Sequence, residues 1–150
     1  MRYAFLLLFA AICTACSDDS VTPEEEILLF SRAGLVDSVY SDNGFGAASI
    51  KKFQNFSAGS DSLRVKLSYA GRTSYDFSPF ILSYQSGETL LRLDNLGGSF
   101  YDNSSYVTLD TIIKNISSSD SVRINLNCSN GSALTGPVWF AVRDLEVYTH

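Results

Sequence analysis

Apolar and polar side chains alternate along most of this chain. Leu63, Val65, Leu67 and Tyr69 are separated by Arg64, Lys66 and Ser68, and Val122, Ile124, Leu126 and Cys128 by Arg123, Asn125 and Asn127. A period of two is that of a half-buried β-strand, whose successive side chains point to opposite faces of a sheet. Further strands are predicted at 27–30, 47–53, 80–84, 89–93, 106–113 and 138–148, with clusters of Gly, Ser, Asn and Asp between them. Roughly eight strands without an amphipathic helical window predict an all-β fold of two antiparallel sheets packed face to face, with a jelly roll the favoured form of this β-sandwich. The stretch 138–142 is apolar at every position, so Trp139 is expected in the core. Cys128 continues the apolar face of its strand and is expected there too, as a small hydrophobe.

A different pattern opens the chain. Arg2 precedes an unbroken apolar run, 3–12, and then come Cys13-Thr14-Ala15-Cys16-Ser17-Asp18-Asp19. A run of about ten apolar residues suits a signal-peptide core and falls short of the roughly 20 that cross a bilayer. Small Thr14 and Ala15 fit the narrow subsites of a signal peptidase, and the Cys16 thiol can accept a diacylglycerol; Cys13 follows bulky Ile12 and fits less well. The expected organisation is a lipoprotein signal peptide, 1–15, then lipidated Cys16 and an acidic tether through residue 26, then one domain, 27–150. The tether ends Pro23-Glu24-Glu25-Glu26 and has no apolar periodicity. The 135 residues from Cys16 onward are enough to bury a core without metal or disulfide. With Cys16 acylated, Cys128 is the one remaining cysteine and an internal disulfide is excluded. Sixteen acidic against eleven basic side chains give a net charge of −5, which does not steer a protein toward nucleic acid. The expected membrane contact is the lipid.

The tail that begins Cys16-Ser17-Asp18-Asp19 resembles the surface-export signal of Bacteroidota lipoproteins, which implies an outer-membrane protein displayed on the cell surface. The closing segment 136–148, preceded by 106–113 and 121–127, resembles the last strands of galactose-binding-like jelly-roll domains, found in many carbohydrate-binding modules. That resemblance implies a non-catalytic binding domain. It also places Asp144 where some of those modules hold a structural calcium, with Glu25 or Glu26 as further oxygen ligands. Asp37-Ser38-Val39, Asp61-Ser62-Leu63, Asp110-Thr111-Ile112 and Asp120-Ser121-Val122 resemble the general O-glycosylation site of the same bacteria, implying modification at Ser38, Ser62, Thr111 or Ser121. An Asp-Ser-apolar triplet is equally how a turn enters a strand, as at Ser62 and Ser121. These two stand in similar surroundings: Ser60-Asp61-Ser62 leads into 63–67 and Ser119-Asp120-Ser121 into 122–126. A pseudo-symmetric pair of hairpins or plain turn chemistry would each account for the likeness.

Catalysis has little to draw on. His150 is the only histidine and is the last residue, which excludes a core-mounted Ser-His-Asp or Cys-His arrangement. A glycosidase needs two carboxylates across a cleft, one with a raised pKa; Asp76, Asp94, Asp102, Asp110 and Glu88 are available, each in a polar turn or at a strand end. No catalytic residue and no cofactor beyond the calcium is expected. Sugar rings stack on aromatic faces near polar hydrogen-bonders, and the segments 69–76 and 98–106 carry that mixture. Arg72, Tyr75, Asp76, Tyr101 and Asn103 are the candidate ligand-binding residues; the alternative is that these aromatics plug the ends of the core. The expected function is a lipid-anchored binding or adhesion module, with glycan as ligand. A structural or assembly component pairing through an exposed strand edge, such as the last strand, is the second reading. A small hydrolase is the third.

Overall fold

A computed structural model describes residues 25–42, 48–74, 78–93, 100–131 and 134–150. The described residues form nine strands: β1 (Leu28–Ser41), β2 (Ala48–Lys52), β3 (Phe56–Ser57), β4 (Ser62–Ser74), β5 (Phe80–Tyr84), β6 (Thr89–Arg92), β7 (Phe100–Lys114), β8 (Ser121–Ser129) and β9 (Val138–Thr149). The first sheet has the order β1-β9-β4-β7 and the second β2-β8-β5-β6, with β3 continuing β2 along β8. Every pairing is antiparallel. The two-sheet β-sandwich expected from the alternation is therefore present. Apart from β2–β3 and β5–β6, consecutive strands lie in opposite sheets, so the chain crosses the core at nearly every connection.

The core is where the two alternating faces meet. Leu63, Val65 and Leu67 of β4 and Phe140, Val142 and Leu145 of β9 face Phe80, Leu82, Ile124 and Leu126 of the second sheet, all at most 2% exposed. Each such side chain contributes about 1.5–3 kcal/mol on burial. Cys128 sits among them, fully buried, with its Sγ directed at the Val138 carbonyl oxygen. At one flank Asp37 of β1 turns inward, 2% exposed, and is gripped by Arg32 at 2.8 and 2.9 Å and by Lys51 of β2, which clips one sheet to the other. At the far end of β4, Thr73 Oγ1 accepts the Ser129 amide at 2.9 Å and makes a second clip.

The two similar segments, 60–67 and 119–126, are not hairpins. Each is a crossing from one sheet to the other, β3 to β4 and β7 to β8, and the two crossings lie side by side at one end of the sandwich. Their backbones bond to each other: Ala58 N donates to the Asp120 carbonyl, Gly59 N to Ser118 and Ile116 N to Asp61, at 2.9–3.1 Å. The likeness in sequence thus marks two corners that support one another. The last strand is not an edge either. β9 is paired on both sides, by β1 and β4, and the edges of the first sheet are β1 and β7.

Candidate functional site

A line of bulges crosses the first sheet and divides its solvent face. Between Arg32 and Val36, β1 carries two residues more than β9; between Lys66 and Ser68, β9 carries one more than β4; between Tyr69 and Gly71, β7 carries two more than β4. Bulges bend a strand and increase its twist, so the sheet changes course here. The bulged residue of β9 is Asp144, held at φ 52°, and its Oδ1 accepts the amide of Gly34, itself at φ 72°, at 2.8 Å.

Above the line the solvent face carries an aromatic row. Tyr40 pairs with Trp139, Trp139 with Arg72, and Arg72 with Asp102; directly opposed residues share a face of the sheet. Tyr40 is 57% exposed and Trp139 half-buried. Trp139 is therefore not in the core: β9 alternates from Val138 onward, so Val138, Phe140 and Val142 point in and Trp139 and Ala141 point out. Two residues along, about 7 Å away, the next row is Ser38, Ala141 and Ala70, all small. The row beyond is Val36, Arg143, Ser68 and Thr108, with the Arg143 guanidinium 4.5 Å from the centre of the Tyr106 ring. Between these rows the side chains are small: Ser38 is exposed, whereas Ala141 at 4% and Ala70 at 0% are covered by their larger neighbours, so the strip is a shallow trough open at its Ser38 end.

Arg72 holds the upper wall in place. Its Nη1 donates to the Pro137 carbonyl at 2.7 Å and its Nη2 to Thr135 at 3.1 Å, while Nε lies 3.4 Å from Asp102. Its contacts fix the residues that lead into Trp139. Behind the wall, Phe140 crosses over Gly71, where a Cβ would come within 2.8 Å of both the Phe140 ring and the Trp139 carbonyl oxygen.

Of the residues expected to bind ligand, Arg72 is on this face. Tyr75 and Asp76 lie outside the described residues. Tyr101 lies on the inward face of β7, half-buried, its ring 5.7 Å from that of Tyr69; it closes the end of the core. Asn103 accepts the Ser105 amide at 2.9 Å in a local turn at the bulge. Tyr40, Trp139 and Arg143, which complete the trough, were not among the expected residues. The signal for them is the parity of β9: once Val138, Phe140 and Val142 are assigned inward, 139 and 141 must face out.

The three expected calcium ligands are not brought together. Glu26 accepts Arg64 Nη1 at 3.0 Å and lies 3.2 Å from His150 Nδ1, and these partners, Arg64 first, hold its carboxyl below the usual range. Ile27 is bonded to Thr149, so Glu25 and Glu26 sit some five residues, roughly 17 Å, along β9 from Asp144. Among the described residues no group of three His, Cys, Asp or Glu is placed to hold a metal ion. Of the glycosylation candidates, Ser38 is exposed on the trough floor, and Thr111 and Ser121 are half-buried. Ser62 is buried and donates its hydroxyl to the His150 carbonyl. Cys16 lies outside the described residues.

One depression of about 450 Å³, open and polar, is lined by Tyr84, Gln85, Ser86, Ser119, Asp120 and Ser121, with a single carboxylate. Where carboxyl groups depart from their ordinary pKa among the described residues (Glu26, Asp37 and Asp110), each is lowered by an arginine. A general acid at neutral pH needs the opposite shift. No protein-family model matches the chain, and no curated protein matches it. The site is therefore read from its own chemistry.

Proposed function

We propose that this protein is a non-catalytic binding module that takes neutral glycan in the trough of the first sheet, and that it is held at the outer membrane, on the cell surface, by lipid on Cys16. The observation that carries the reading is the Tyr40–Trp139 row: two adjacent aromatic side chains turned to solvent on a rigid sheet, beside a floor of small residues. Aromatic rings left outward on a sheet are apolar area that a partner can cover, and the C–H faces of a sugar ring suit them. Arg143, Ser38, Ser68 and Thr108 supply hydrogen-bond donors and acceptors within the same rows. The strand order also supports a jelly roll. Counting β2 and β3 as one strand leaves eight, arranged 1-8-3-6 and 2-7-4-5, which is an antiparallel sandwich wound as two Greek keys.

Trp139 is the only tryptophan in the chain and lies in the proposed site, so its fluorescence reports binding directly. A glycan array probed with the protein should yield ligands that also shift Trp139 emission in titration. Tyr40→Ala should abolish both responses while leaving the unfolding midpoint in place. Array ligands that leave Trp139 emission untouched, or that bind Tyr40→Ala equally well, would place recognition elsewhere.

A further inference from the structure

Strand β7 bounds the first sheet: β4 pairs with one side of it, and among the described residues no strand pairs with the other. From Val107 to Lys114 its register with β4 is unbroken, so this is a straight stretch of edge with its outer peptide groups open. Five of these eight residues are β-branched and none is Gly or Pro. Edge strands are ordinarily blunted by charge, proline or bulges because their free N–H and C=O groups template further pairing. Here the charges are Asp110 and Lys114, four residues apart and on one face, with Ile112, 42% exposed, between them.

That spacing is self-complementary. We propose that β7 pairs with β7 of a second copy of this chain, antiparallel, about a two-fold axis at Ile112. A two-fold axis perpendicular to the sheet keeps solvent faces together, so opposed residues share a face and the axis falls on a residue. With the axis at Ile112, that side chain meets its own copy, and Asp110, already forked by Arg64 of its own chain with two 2.8 Å bonds, stands opposite Lys114 of the second chain on both sides and gains a second cation. An axis at Asp110 would instead oppose two carboxylates, and an axis at Thr111 would set Asp110 against Ile112. An axis at Thr108 would run the ladder into the bulge at 104–106. One register joins apolar contact at the centre with opposite charges at the flanks. The chain leaves the strand at Asn115, which has φ 60°, so the ladder is short and the pairing is the weak, reversible kind. The trough lies on the solvent face and stays open in such a pair.

The test is site-specific crosslinking of the whole protein in intact cells that produce it. Ile112→Cys places two thiols across the axis, within disulfide reach, whereas Val107→Cys, 40% exposed on the same strand, lies beyond the end of the copy's strand and about 33 Å from its own equivalent. Under mild oxidant, Ile112→Cys should form the disulfide dimer about tenfold faster than Val107→Cys, and adding Lys114→Asp should cancel that advantage by opposing two carboxylates. Lys114 is exposed, so this loss does not come from unfolding. Equal rates for the two cysteines, or a fast rate indifferent to Lys114→Asp, would overturn the proposal.

Discussion

The same four strands build both halves of one solvent face, yet the halves differ in kind. Below the bulges, Arg64 forks onto Asp110 with two 2.8 Å bonds and reaches Glu26, and Lys66 lies 4.7 Å from the centre of the Tyr148 ring. The charged tips there are matched. Above the bulges, Arg72 is matched too, by Pro137, Thr135 and Asp102, but the positions beside it are the uncharged Trp139, Ala141, Tyr40, Ser38 and Ala70. A bulge shifts register and so decides which side chains become neighbours; Asp144 at positive φ, capping Gly34, is the hinge between a self-satisfied surface and an unsatisfied one. The lesson is that a strand pair can carry a purely structural surface and a receptive one within a few residues.

The largest effects should come from the core beneath each half, and they separate binding from stability. Phe140→Ala removes a fully buried ring from directly behind the trough and should cost about 3–5 kcal/mol. Leu145→Ala, equally buried but below the bulges, should cost about 2–5 kcal/mol. Urea unfolding measures both. At low temperature, where both variants stay folded, Phe140→Ala should lose the ligand response of Trp139 and Leu145→Ala should keep it. Equal loss in both would mean that the halves are one cooperative surface. Gly71→Ala approaches the same wall from the other side. Its Cβ presses on backbone, which cannot give way as a flexible side chain would, so about 1–3 kcal/mol of strain is expected.

A smaller effect belongs to the flank. Asp37 is held below the usual carboxylate range by its hydrogen bonds to Arg32 and then by Lys51. Its native pKa lies below its unfolded value, about 3.9, so the unfolded state binds protons first. The stability it contributes is present above the unfolded value and is lost as pH falls through the native one. Asp37→Asn should lower stability by about 2 kcal/mol at pH 7. The variant should also show a shallower fall in urea midpoint than the parent between about pH 5 and pH 3. Parallel curves would show that the Asp37 carboxyl has the same pKa in the native and unfolded states, so that its contacts with Arg32 and Lys51 do not favour the charged form.

The fold was legible where alternation was regular, at β4, β8 and β9, and faded where it broke. The expected first strand, 27–30, is in fact Leu28–Ser41, because Gly34 and the bulge interrupt the period and Asp37 puts a carboxylate on an inward position. Alternation gives faces but not neighbours, so the central place of β9, and with it the row Tyr40–Trp139–Arg72, was hidden. Trp139 was misplaced for a physical reason: a strand apolar on both sides reads as doubly buried, and a receptive aromatic on a solvent face looks the same in sequence as a core one. Arg72 was found through the mixture of aromatic and polar residues in 69–76, although it lies within β4 and its contacts make it a positioning residue for the wall.

The smallest effect is expected from the lower half. Arg64 and Asp110 are 31% and 44% exposed, so water and salt already screen their attraction, and exposed ion pairs contribute little. Arg64→Ala should lower the urea midpoint slightly at low ionic strength, and the gap should close near 1 M salt, where the screening length falls to about 3 Å. Tyr40→Ala, above the bulges, has no ion pair to screen and should show no such salt dependence. If the Arg64→Ala gap persists at high salt, its source is the methylene stem lying on the sheet and not the guanidinium fork. The lower half would then be held by apolar contact as the upper half is, and the two would differ only in what they leave open to a ligand.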